Sequence, residues 1–190
     1  MSRKILMLLG LVLAVGVTTA QADEYPSKVI TLVVPFSAGG PTDTVARMIA
    51  QPMSKTLGQT IIVENIGGAG GTIAAARVAR ANPDGYTIFL HHIGMATSAT
   101  LYKKLPYNVL TDFEPIGLVT PVPMTIIAKQ AMGAKDVKEF ISYIKANKDN
   151  ITYGNAGVGA ASHLCGMLFM SAIDTQFTTV SYKGTGPAMN

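Results

Sequence analysis

Between Lys28 and His91 the chain alternates short β-branched runs with glycine-rich loops that open helix-periodic stretches, and this alternation limits the fold more than any other feature. Lys28 to Pro35 reads as a strand that runs into Phe36-Ser37-Ala38-Gly39-Gly40-Pro41-Thr42-Asp43. Thr42 or Asp43 is placed to cap the next helix. Val45, Met48, Ile49, Met53 and Leu57 fall at helical spacing, and Gly58 closes the helix as a left-handed cap. Pro52 lies inside that pattern and predicts a bend, because an interior proline costs about 3 kcal/mol or kinks the helix. The cassette then repeats: strand Thr60 to Glu64, glycine loop Asn65 to Gly71, alanine-rich helix Thr72 to Ala81. Asn82-Pro83-Asp84-Gly85 is a turn by composition, and Tyr86 to His91 is a third strand. Strand, helix, strand, helix, strand predicts right-handed crossovers and a mainly parallel α/β sheet.

Charged residues make up only 14% of the chain, against roughly a quarter in a typical domain, which favours strands buried on both faces. Beyond the third strand, Leu105-Pro106-Tyr107 to Pro115 reads as a surface connection. Ile116 to Lys129, apolar but interrupted by Pro121 and Pro123, is expected to be a strand passing from one lobe to another. A helix is expected over Asp136 to Ala146, where Val137, Phe140, Ile141 and Ile144 share a face. Ile151-Thr152-Tyr153 begins a strand that leads through Gly154 to Gly159 into a helix from Ser162 to Ile173. Phe177 to Tyr182 is the last strand. Lys183 to Asn190 looks like one more loop, with Pro187 at a first helical position, so a helix is opened without a body. That pattern predicts a piece of a longer protein.

The N-terminus reads as a secretory signal. Met1-Ser2-Arg3-Lys4 is basic, Ile5 to Val17 is apolar, and Thr18 to Ala22 ends in an Ala-x-Ala cleavage pattern. As a helix the apolar run reaches about 20 Å, short of a hydrocarbon core of roughly 30 Å, so it is no anchor. The formal net charge of +4 includes Arg3 and Lys4. No basic cluster exceeds Lys103-Lys104, which argues against nucleic acid as a partner. Cys165 is the one cysteine, so a disulfide framework is excluded, and no cysteine stands at the cleavage site to carry a lipid.

Two glycine loops, Phe36 to Asp43 and Gly154 to His163, each open a helix. Glycine lets the backbone approach a ligand, and the first amides of a helix lack internal partners, so such loops suit a carboxylate or phosphate. Glycines also serve simply to turn a chain tightly, but two loops at equivalent positions favour a shared cleft at the carboxyl ends of the strands. Nucleotide binding fits less well. Gly157-Val158-Gly159-Ala160-Ala161-Ser162 is one residue off the dinucleotide fingerprint, and the acidic partner is missing around Ser181 to Lys183. Catalytic and metal-binding residues are not expected. The three histidines, His91, His92 and His163, have no metal-site spacing. Ser162 and His163 are adjacent in a helix and point about 100° apart. His92 is placed to line a cleft and His163 to donate to an anion, though each serves equally well as a structural histidine. Cys165 and the methionines read as core packing.

The run Val33-Val34-Pro35-Phe36-Ser37-Ala38-Gly39-Gly40-Pro41-Thr42-Asp43-Thr44-Val45-Ala46-Arg47 is the most specific motif. It is joined by Val63-Glu64-Asn65-Ile66-Gly67-Gly68-Ala69-Gly70-Gly71, Asn82 to Thr87, Leu105-Pro106-Tyr107 with Asp112-Phe113, Tyr153 to Gly159 with Ser162-His163-Leu164, and Tyr182 to Ala188. Together these resemble the Bug-type substrate-binding receptors of tripartite tricarboxylate transporters.

The resemblance implies a periplasmic-binding-protein fold of two α/β lobes with mainly parallel sheets. Residues 1–22 would be the signal, 23–118 the first lobe and 119–190 an incomplete second lobe. Such receptors close on a small carboxylated solute and present it to membrane permease subunits. They act in the periplasm, without catalysis or cofactor, and a monomer is expected. The solute carboxylate would be held largely by backbone amides and water in two loops. These map onto Phe36, Ser37, Ala38, Gly39, Gly40 and Asp43 in the first lobe, and onto Gly154, Asn155, Ala156, Gly157 and Gly159 in the second. Ser37 and Asp43 would be the side chains nearest the ligand, with His92 a further wall. Family members continue far beyond the Tyr182 motif, so this chain is expected to bind weakly or not at all by itself and to be poorly soluble. The alternatives are an exported hydrolase using His92 or His163, and a remnant that keeps only the fold.

Overall fold

The computed structural model describes residues 24–190, so the signal expected at residues 1–22 lies outside the described residues. Strand β1 (Ile30–Val34) is the centre of a parallel sheet ordered β2-β1-β3, with β2 at Ile61–Asn65 and β3 at Thr87–Phe89. Ile30 stands opposite Ile61 and Val34 opposite Asn65, while Thr31 stands opposite Thr87. In β1, Ile30, Leu32, Val33 and Val34 are each no more than 1% exposed. Burial on both faces removes any need for polar alternation, and the run is correspondingly apolar. Leu32 and Val34 pack on Ala46 and Ala50 of helix α1 (Pro41–Leu57). Ala75 and Ala76 of helix α2 (Thr72–Val78) form a second cluster with Tyr107.

A second, two-stranded parallel sheet pairs β4 (Thr152–Asn155) with β5 (Thr178–Ser181). Helix α4 (Val137–Ala146) precedes it, capped by Asp136, whose carboxylate accepts from the Lys138 and Glu139 amides, while Glu139 reaches back to the Lys135 amide. Helix α5 (Ala161–Ala172) joins the two strands, and α6 (Thr185–Met189) follows β5.

Several expectations are corrected. The cap of α1 is Gly40, with no side-chain cap bond, and Pro41 takes the first helical position, so neither Thr42 nor Asp43 caps it. As expected, the helix closes at the left-handed Gly58, with Pro52 inside it. Helix α6 begins at Thr185, two residues before Pro187. Ile116 to Lys129 forms no strand. Pro121 and Pro123 remove two ladder donors. Its side chains stand in solvent, with Ile116 84% and Leu118 87% exposed. A short helix, α3 (Gly94–Leu101), was not anticipated, because its small residues carry little apolar periodicity. Among the described residues no helix is long and apolar enough to cross a membrane.

Candidate functional site

The first glycine loop leaves the carboxyl end of β1 and is clamped from behind. Asp43, 3% exposed, accepts from the Gly39 amide at 2.9 Å, the Arg47 Nε at 3.0 Å and the Asn65 Nδ2 at 3.0 Å. The same Asn65 amide donates to the Phe36 carbonyl at 3.1 Å. Burial alone would push the Asp43 carboxyl up, but the hydrogen bonds from Arg47, Gly39 and Asn65 outweigh it and hold it below its ordinary value. Asp43 therefore shapes the loop from inside the protein, whereas the sequence placed it beside the ligand. Ala38 and Gly39 are exposed at the tip, Gly40 is buried under it, and Ser37 is half-buried.

The second loop is also tied to its own side chains. The Ala156 amide donates to Ser162 Oγ at 2.9 Å, the Gly157 amide to Asn155 Oδ1 at 3.0 Å, and the Gly159 amide to His163 Nδ1 at 3.4 Å. Three amides expected to await an anion are thus already engaged. One buried side-chain donor is unpaired: Asn155 is 1% exposed, and its Nδ2 has no hydrogen-bond partner among the described residues. A buried donor without an acceptor is costly unless something supplies one. Gly154 faces the other way, where a Cβ would stand 3.4 Å from the Ala188 carbonyl oxygen of α6.

The two loops come together. Phe36 forms one buried cluster with Ala156 and Ala160. The Ser37 amide and hydroxyl both donate to the Lys183 carbonyl, at 3.1 Å and 3.0 Å. Next to Lys183, the Tyr182 amide donates to the Asn155 carbonyl at 2.9 Å. Tyr182 and Lys183 therefore tie one loop to the other. Sequence reasoning quoted this pair only as part of the family motif and left it out of the site.

His92 stacks on Phe36 with ring centroids 4.7 Å apart, and His91 meets Phe36 edge-on at 5.8 Å. The His91 Nδ1 accepts the His92 amide at 2.7 Å, and the His92 Nδ1 accepts the Gly94 amide at 2.9 Å, which opens α3. Burial holds both imidazoles neutral: His91 is pushed down to about 3, aided by the neighbouring His92, and His92 to about 4. His92 is thus a wall of the contact region and also a structural acceptor. Among the described residues no group of three or more His, Cys, Asp or Glu side chains is arranged to hold a metal ion. Two surface hollows lie elsewhere on the first sheet unit: one of about 490 Å³ lined by Arg47, Ser54 and Lys55, another of about 420 Å³ lined by Glu64, Arg77 and Arg80.

The junction thus gathers the Ser37 amide and hydroxyl, the unpartnered Asn155 Nδ2 and the stacked Phe36 and His92 rings. Residues 45–190 match the family described as "Tripartite tricarboxylate transporter family receptor". A protein from Agrobacterium vitis, encoded in the TAR-I ttuE-ttuC' intergenic region, is 51% identical over 99% of this chain and 54% of its own length. The structure of the periplasmic binding protein BugD superposes with a TM-score of 0.85 at 55% identity, covering 87% of this chain and 56% of BugD. MatC from Rhodopseudomonas palustris, solved with bound malate, gives 0.81 at 44% identity over 87% of this chain and 56% of its own. The chain thus spans about half the length of the relatives it matches.

Proposed function

The chain belongs to the tripartite tricarboxylate transporter receptor family, and on that premise we propose that it forms the carboxylate-gripping part of a solute receptor, with the first sheet unit as one lobe and the second as part of the other. The fold is of periplasmic-binding-protein type. The observation that carries the reading is the junction itself: Ser37 and Asn155, at the openings of two equivalent helices, are drawn to one place by Tyr182 and Lys183. The buried Asn155 Nδ2 supplies a donor for a carboxylate oxygen, and Ser37 supplies two more once the Lys183 carbonyl moves aside. Neutral donors of this kind recognise the carboxylate and leave the rest of the solute to the walls. The bound malate of MatC supports a small organic acid as the class. Export by residues 1–22 and delivery to membrane permease subunits complete the proposed role.

The test is an NMR titration of the chain with malate, citrate, adipate and aspartate in the millimolar range. The expected result is a weak, saturable shift of the Asn155 side-chain amide and of the Ser37 backbone amide with at least one acid, the Ser37 shift being lost in Asn155→Ala. No shift with any of them at millimolar concentration overturns the reading.

A further inference from the structure

Away from Ser37, a second contact between the two sheet units converges on a single atom. The carbonyl oxygen of Val158, in the second glycine loop, accepts the hydroxyl of Tyr102 at 2.9 Å. Tyr102 directly follows α3. The same oxygen faces Gly70, whose φ of +62° belongs to glycine. A Cβ at Gly70 would run into that oxygen and lie 3.1 Å from the Tyr102 hydroxyl. At Gly157 a Cβ would stand 3.1 Å from the Gly70 nitrogen, so bare backbone lies on bare backbone. The Val158 side chain is 44% exposed, and what the notch holds is its main chain.

We propose that the notch between Gly70 and Tyr102 is the latch of lobe closure, with Tyr102 the positioning residue that seats the Val158 carbonyl. The inference rests on the reading of the two sheet units as the jaws of a receptor, but no solute takes part in the contact. Seating Val158 fixes where Asn155, three residues earlier, stands relative to Ser37. When the lobes part, water replaces the Tyr102 hydrogen bond, so its net contribution is that of one neutral pair. Gly70 adds a steric condition: any side chain there holds the loops apart. Gly70, in a loop whose Asn65 already braces Phe36 and Asp43, thereby acquires a role of its own.

The experiment is amide hydrogen exchange, read residue by residue by NMR without any solute, on the 190-residue chain and on Tyr102→Phe and Gly70→Ala. The reporter is the Ser37 amide, which donates to Lys183 and is hydrogen-bonded to neither substituted residue. Tyr102→Phe is expected to speed its exchange about two- to tenfold, while the Ile30 and Thr31 amides, paired to Thr60 and Tyr86, stay protected. Gly70→Ala is expected to do more. A Ser37 amide that exchanges at the same rate in Tyr102→Phe overturns the latch, as does one without protection in the unaltered chain. Loss of Ile30 protection in Gly70→Ala signals unfolding, and Tyr102→Phe, which keeps the ring, then carries the test. Because solute binding is not read, a failed latch leaves the carboxylate reading standing, and a silent titration leaves the latch standing.

Discussion

Ser37 and Lys183, 146 positions apart, are joined through one carbonyl oxygen that accepts both the amide and the hydroxyl of Ser37. The pairing occupies donors that the proposed function assigns to a carboxylate. In the chain without solute, the Lys183 carbonyl stands where an oxygen of the organic acid would be expected. Binding by this account is an exchange of one acceptor for another, which limits the net gain.

The loop that carries Ser37 depends on Asp43. Asp43→Ala leaves the Gly39 amide without its acceptor and frees the Asn65 amide that also holds Phe36. A loss of about 2 kcal/mol of folding stability is expected, since three hydrogen bonds to one charged acceptor are lost together. Arg47→Ala is expected to cost less than Asp43→Ala, because the guanidinium sits at the surface. Urea denaturation of the two variants checks the order, and equal losses would contradict it.

Acid should weaken the fold before the carboxylates titrate. His91 and His92 hold folded pKa values of about 3 and 4, below the ordinary 6.5. Between pH 6.5 and 4 the unfolded chain therefore binds more protons than the folded one, so stability is full above about 6.5 and falls steadily as pH drops through this window. Asp43, held below its ordinary 3.8, adds its own loss only as pH falls through its still lower folded value. Melting temperatures at pH 7.5, 6, 5 and 4 read the effect. Replacing both histidines by glutamine is expected to flatten the curve across the window.

Gly166 of α5 lies directly on the Tyr153 ring, and a Cβ there would run into the Tyr153 Cε1. The Tyr153 hydroxyl meanwhile donates to the Ser162 carbonyl at 2.7 Å. Gly166→Ala is expected to cost about 1–3 kcal/mol through overpacking, despite the better helix propensity of alanine. Calorimetric melting checks it; a more stable variant would show that the ring moves freely.

The segment that forms no strand exposes large apolar side chains. Ile116, Leu118 and Ile127 are 84%, 87% and 65% exposed. Replacing Ile116 and Leu118 by lysine is expected to raise the soluble yield with little change in melting temperature, because neither side chain is buried. A drop in melting temperature of several degrees would show that these side chains are packed in solution.

The first sheet unit was legible because its cassettes combine β-branched runs, glycine loops and helical spacing in one order. Leu32, Val34, Ala46 and Ala50 meet as that order requires. The fate of Ile116 to Lys129 was not legible, because an apolar run specifies a strand only when an edge is there to receive it. The meeting of two glycine loops was legible only from their equivalent strand–loop–helix positions, because they leave two separate sheets. The hydrogen-bonding state of the amides was not: Ser162, Asn155 and His163 turn back on their own loop, and only coordinates reveal such local closure. Asp43 illustrates the same limit. The family resemblance implies contact with the ligand, and the sequence did not show that Arg47 and Asn65 hold the carboxylate from within the protein.

A crystal structure of the chain soaked with malate addresses the account most directly. The prediction is a malate carboxylate within about 3 Å of both the Ser37 amide and the Asn155 Nδ2, with the Lys183 carbonyl displaced from Ser37. Malate found only in the hollow beside Arg47 and Lys55, with Ser37 still bonded to Lys183, would contradict it.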